Sequence, residues 1–154
     1  MGYIHDNLMA GETVIYKATL HKIIFFWPSF WIVVSLFLFT LKDIGVPSGA
    51  IVMLLGLILG ISALIKWSSS EFAVTDKRVL IKVGLIQRKS FETMLSKIEG
   101  IQVDQGIFGR ILNYGTITVT GTGGSKEPFH TISYPLEFRK KVQEQISRTQ
   151  ESKT

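Results

Sequence analysis

The chain contains no cysteine, only four prolines and three widely spaced histidines, and over two long stretches it carries no charge. Without cysteine there is no disulfide scaffold, no thiolate zinc site, no iron–sulfur cluster and no cysteine nucleophile. His5, His21 and His130 have no partner at metal-ligand spacing, so no metal site is assigned. The stretch Gly121–Lys126 (GTGGSK) lacks the spacing and the strand-to-helix setting of a phosphate loop and reads as a hairpin turn. A serine hydrolase needs a base and a strained elbow around its nucleophile. Ser68-Ser69-Ser70 offers neither and reads as a short linker. No catalytic residue and no cofactor are expected, and the chain is read as a non-enzyme.

Apolar residues are plentiful but unevenly spread. Ile23–Leu41 holds 15 apolar residues in 19 and Val46–Ile65 holds 14 in 20, with charges only at the borders (Lys22, Lys42-Asp43 and Lys66). At about 1.5 Å per residue each run covers roughly 28–30 Å as a helix, the thickness of a hydrocarbon core. The rest of the chain is too small to bury two such helices on all sides. Two transmembrane helices joined by a loop of a few residues make a hairpin. A signal peptide is disfavoured by the 22 residues that precede the first run and by the immediate second run.

Charge then orients the hairpin. From Lys66 onward there are 14 basic and 9 acidic residues, which accounts for the whole net charge of +5. The positive-inside rule predicts both termini in the cytoplasm, Lys42–Gly45 outside, and a multi-pass inner-membrane location. Trp27, Trp31 and Trp67 lie near the hairpin ends that share the cytoplasmic side and are candidate interfacial anchors. Pro28 and Pro47 fall early in their runs, where a missing N–H is tolerated. Gly56 and Gly60 form a G-x-x-x-G helix-packing pair, whose neighbour is either the first helix or another copy of the chain. No ionisable residue lies inside either run, which argues against transport chemistry through the hairpin alone.

Beyond Lys66 the pattern changes to short β-branched and aromatic runs cut by turn signals. Strands are predicted at Glu71–Thr75, Arg78–Val83, Leu85–Thr93, Ile98–Asp104, Thr116–Thr120 and Phe129–Ser133. Asp76-Lys77 suits a tight hairpin and Gly84 a reversal at positive φ. The close spacing predicts an antiparallel meander. After Pro135, Phe138, Val142 and Ile146 recur every four residues among charged neighbours, predicting an amphipathic helix that ends in a polar tail. Glu12–Lys22 (ETVIYKATLHK) also reads as extended, and a lone strand needs partners. Pairing it with the later sheet gives seven strands and one helix.

That expected arrangement resembles the pleckstrin-homology (PH) architecture. The segment Phe72–Ile86 (FAVTDKRVLIKVGLI), then Leu95-Ser96-Lys97-Ile98, Val103-Asp104-Gln105, Arg110–Ile117 (RILNYGTI) and Gly121–Gly124 resembles the bacterial membrane-anchored PH-like family, formerly a domain of unknown function. The family usually has a glycine-rich stretch where this chain has Asn113-Tyr114. The resemblance implies a membrane α-helical hairpin inserted between strands 1 and 2 of an α+β PH-like domain. That domain would be a seven-stranded antiparallel sheet or barrel capped by a C-terminal helix. The organisation expected is residues 1–22 as the N-terminal segment with the first strand and 23–65 as the two-helix hairpin. Residues 66–148 would complete the domain, and 149–154 would form the tail.

Lys66, Lys77, Arg78, Lys82, Arg88 and Lys89 follow the hairpin directly and are the lipid-headgroup candidates, since the cytoplasmic leaflet is anionic. The bland reading of the same residues is a solvated face carrying the positive-inside signal. Nucleic acid is not an expected partner, because no row of basic and aromatic residues offers stacking. The function expected is a membrane-anchored binding or scaffolding module for protein partners, a homo-oligomer or anionic lipid. The alternative is an accessory subunit of a transporter or membrane-bound enzyme complex.

Overall fold

A computed structural model describes residues 3–41, 45–84, 89–122, 124 and 126–151. The chain divides into two compact units, Lys22–Ser68 and the two flanking segments Met1–His21 and Ser69–Thr154 together.

In the helical unit, a 3-10 turn at Lys22–Phe25 leads into α2 (Phe26–Leu38), and α3 follows at Gly45–Ser68. Of the two apolar runs, one forms an α-helix of the expected length. Val46–Ser68 is long and apolar enough to cross a membrane, whereas the apolar stretch Lys22–Leu38 is shorter. Thirteen α-helical residues cover only about 20 Å. Pro28 sits in the first turn of α2, where its missing N–H forfeits no intrahelical hydrogen bond. Pro47 likewise sits in the first turn of α3. Of the predicted outer loop Lys42–Gly45, residues 42–44 lie outside the described residues and Gly45 opens α3.

In the other unit, the strands are β1 (Val14–Ala18), β2 (Glu71–Thr75), β3 (Arg78–Val83), β4 (Lys89–Met94), β5 (Ile98–Asp104), β6 (Tyr114–Gly121) and β7 (Lys126–Ser133). They form two antiparallel sheets, β1-β2-β3-β4 and β5-β6-β7. This corrects the expectation of one continuous meander or barrel. A 3-10 turn at Leu95–Lys97 turns the chain between β4 and β5. Among the described residues the two sheets meet through an isolated bridge, Leu20 to Ile132, and no closed barrel forms. Asp76-Lys77 makes the tight hairpin between β2 and β3, and Gly84 follows β3 at the positive φ expected of it, +83°. The segment Leu85–Arg88 of the predicted third strand lies outside the described residues.

β2 and β3 read as unbroken apolar runs because both faces of this sheet are covered. On one face Ala73 and Leu80 pack with Ile4 of the short helix α1 (Tyr3–Asp6). On the other, Phe72 meets Phe129 of the second sheet edge-on at 6.3 Å. β6 instead alternates, burying Gly115, Ile117, Val119 and Gly121. The terminal helix α5 (Pro135–Glu151) lays Phe138, Val142 and Gln145 against β1, β2, β5 and β6. It runs past the predicted end at 148, where no glycine or proline stops it and Thr149 bonds back to the Gln145 carbonyl. The hydroxyl of Tyr16 donates to Glu137 at 3.3 Å, fastening β1 to α5. Burial first, and then the Glu137 carboxylate, push that phenol up to about 12.

Candidate functional site

Arg78 stands at the start of β3 and is buried, with 8% of its surface exposed. Its Nε and Nη2 donate to the two oxygens of Glu12, each at 3.0 Å, while Nη1 reaches Glu92 at 2.8 Å and Nη2 the Asn7 carbonyl at 2.6 Å. Glu12 also accepts from the Met9 N–H and the Thr75 hydroxyl, each at 2.7 Å. Burial alone would raise the Glu12 carboxyl. The Arg78 hydrogen bonds and charge, with Met9 and Thr75, outweigh it and hold the group at about 2. This guanidinium is committed to the fold, so Arg78 is corrected from headgroup candidate to structural residue.

Strand register sorts the remaining candidates. β1 and β2 pair from Val14 with Thr75 to Ala18 with Phe72, so the chain leaves for the helices and returns from them at one end of this pair. Glu71 pairs with Lys82, and Val83 with Lys89, which puts Lys82 and Lys89 at that same end. Lys77 occupies the β2–β3 turn at the opposite end, exposed, its Nζ 3.3 Å from the Ala10 carbonyl. Lys66 is exposed in the last turn of α3. Arg88 and the side chain of Lys89 lie outside the described residues. The sequence grouped six cations as one cluster, whereas the strands carry them to different places.

In the helical unit, a Cβ built on Gly56 would stand 3.0 Å from the Ile32 side chain and 3.3 Å from its backbone nitrogen. At Gly60 the nearest atom is Pro28 Cβ at 3.8 Å, and at Gly49 the Phe39 ring at 3.1 Å. Within the chain, Gly56 and Gly60 thus face α2, and Gly49 faces the ring of Phe39 just past its end. Ser35, buried, donates to the Ile32 carbonyl at 2.7 Å within α2. The Phe25 and Trp67 rings meet edge-on at 6.3 Å, joining the start of the first apolar stretch to the end of α3. Trp27 is exposed, while Trp31 and Trp67 are half-buried. The outward faces of both helices remain apolar and exposed, as at Phe37 and Ile51.

The feature missed by sequence reading is α4 (Ile107–Leu112), between β5 and β6. Gly106 precedes it, apolar residues stand at 107, 108, 111 and 112, and Asn113 closes it in left-handed geometry at φ 57°. Those are helix signals, but six residues are too few to register as a period. Asparagine tolerates the left-handed cap, so replacing a glycine-rich stretch by Asn113-Tyr114 costs the turn little. A cleft of about 310 Å³ opens beside α4, lined by Asp104, Phe108, Gly115, Thr116, His130 and Thr131 among others. His130 Nδ1 lies 3.1 Å from the Thr116 hydroxyl, and Thr131 holds a left-handed φ of 60° at a β-bulge. Among the described residues, no group of three His, Asp or Glu gathers that could hold a metal ion.

A family model for the bacterial PH domain matches residues 30–149, well over half of the chain. The chain belongs to the bacterial PH domain family. No curated protein and no solved structure matches it. Members of such PH-like families are generally non-catalytic modules that bind proteins or lipids. For this bacterial PH domain, the match begins within α2 and includes α3, so the apolar helices fall inside the family pattern along with six of the seven strands.

Proposed function

We propose that this bacterial PH domain is a non-enzymatic, membrane-anchored binding and scaffolding module at the cytoplasmic face of the inner membrane. In this reading α2 and α3 form a membrane hairpin inserted between β1 and β2. The observation that carries it is the β1–β2 pairing: residues on either side of the apolar helices are neighbours in one sheet, so both crossings leave from one end of the domain. A domain tethered in this way needs no lipid affinity to reach the membrane. Lys82, Lys89 and Arg88 then serve to orient it against anionic headgroups, and the exposed strand edges and α5 remain for a protein partner.

The test is topology. The chain lacks cysteine, so single cysteines at Ser48 and Ser147 are labelled on intact cells with an impermeant reagent. Labelling at 48 but not at 147 is expected, and the reverse pattern would sink the orientation.

A second reading, an accessory subunit of a transporter or membrane-bound enzyme complex, draws on the shortness of α2 and the exposed apolar faces of both helices. A larger membrane protein would complete that surface. Purification in mild detergent separates the two readings: a stoichiometric large membrane partner favours the second, and a lone chain or homo-oligomer the first.

A further inference from the structure

Ile107, Phe108 and Ile111 of α4 are 79%, 73% and 69% exposed, an apolar concentration unusual on a water-facing surface. Leu112 continues it, and exposed Tyr134 borders it through a hydrogen bond from its N–H to the Asn113 carbonyl. The mount is rigid. Gly109 is buried so closely that a Cβ there would stand 2.6 Å from the Tyr114 carbonyl oxygen. The Gln105 amide donates to the Gly109 and Tyr114 carbonyls at 3.2 and 3.0 Å, spanning the base of the helix. Four large apolar side chains are thereby held outward on a fixed platform.

Position identifies what covers them. Tyr114, two residues beyond α4, stacks on the ring of His21 at 5.3 Å, and His21 is the last residue before the helical unit. The Ser133 N–H donates to the Thr19 carbonyl, and the His21 N–H to Thr131, at the same end. α4 therefore projects from the end of the PH-like unit where the chain passes to its apolar helices. Exposed Arg110 within α4, and Lys82 on the same end of the unit, complement an anionic leaflet. A small apolar face with a cation beside it has the chemistry of the headgroup–acyl boundary.

We infer that α4 is a membrane wedge: Ile107, Phe108 and Ile111 enter the interfacial zone of the bilayer that holds the chain's own helices. This rests on the membrane-anchor reading and adds to it a second, non-covalent attachment.

The experiment uses the full chain reconstituted into phosphatidylcholine–phosphatidylglycerol vesicles. An environment-sensitive fluorophore is attached at Phe108→Cys and, as a second position, at Ile111→Cys. Ser147→Cys on α5 serves as the aqueous control and Leu57→Cys on α3 as the membrane control. Blue-shifted emission and quenching by lipid-borne nitroxide are expected at 108 and 111, at a depth of roughly 5–10 Å below the headgroup surface. Aqueous iodide should quench the label at 147 alone, at every protein-to-lipid ratio. Iodide access at 108 and 111 equal to that at 147 would overturn the wedge. So would protection that grows with protein density, which would mark contact between copies, or protection that requires an added soluble protein. Extraction of the parent chain from the vesicles by alkaline carbonate would overturn the anchor reading and the wedge with it. Retention of the chain with water-exposed 108 and 111 overturns the wedge alone.

Discussion

Arg78 holds both carboxylate oxygens of Glu12 across a sequence separation of 66 residues, and the entire helical unit lies between them in the chain. The pair stitches the segment that precedes the apolar helices to the segment that follows them. It sits at the end of β1–β2 far from where the chain leaves for and returns from the helices, so the sheet is pinned by a buried ion pair at one end and by chain connectivity at the other.

Removing either partner leaves a buried charge without its counter-charge. Arg78→Ala and Glu12→Ala should each destabilise the folded chain by about 3–5 kcal/mol. Arg78→Lys keeps the charge but loses the two-pronged grip, so it should lose less than Arg78→Ala. Thermal unfolding of the full chain in detergent micelles measures this. A loss under about 1 kcal/mol for Arg78→Ala, the size of an exposed pair, would show that the network is solvent-screened.

The same carboxylate predicts a pH dependence. Glu12 titrates at about 2 in the folded chain against an ordinary value of 4.5. Its depressed value means that the folded state resists protonation, so its stabilising contribution is complete above pH 4.5 and is lost as pH falls toward 2. Glu12→Gln should flatten the melting-temperature profile across that window. An unchanged acid slope in the variant would exclude Glu12 as the source.

Gly56 and Gly60 should respond differently to the same change. Gly56→Ala meets the Ile32 backbone, whereas Gly60→Ala gains an ordinary contact. Enlarging the first to Gly56→Leu should cost about 1–3 kcal/mol by overpacking, with Gly60→Ala close to neutral. Thermal unfolding in detergent ranks the three variants, and equal losses at the two glycines would contradict the close approach of α2 and α3 at Gly56.

Register divides the cations by effect. With the full chain in anionic vesicles, neutralising Lys82 and Lys89 should weaken headgroup contact by about 1 kcal/mol each, and Lys77→Gln should do nothing. Iodide access to a label on the domain, compared between anionic and zwitterionic lipid, measures the contact. Equal effects from Lys77 and Lys82 would mean that the end of the sheet does not determine lipid contact.

Most strands were legible in the sequence because their turns carry strong local chemistry. Asp76-Lys77 and Gly84 break apolar runs where the chain must reverse, and β2, β3 and β5 follow within a residue or two of expectation. Two things resisted. α4 is shorter than two helical turns, so its apolar pattern never repeats often enough to stand out from a loop. Arg78 reads as one more cation in a basic stretch, since its partners are 66 residues upstream and 14 downstream.

By itself the sequence determined the two materials of this chain: uncharged runs too apolar for water, and a polar remainder with strand and helix periods. Those depend on composition and local spacing, which need no knowledge of distant contacts. Only the tertiary structure decided that the strands divide into sheets of four and three, and that Arg78 is buried on Glu12. It alone brought Tyr114 onto His21 and so placed α4 at the end where the chain passes to its helices. Each of these depends on pairing between residues remote in sequence, where register and burial, rather than residue type, fix what a side chain can touch.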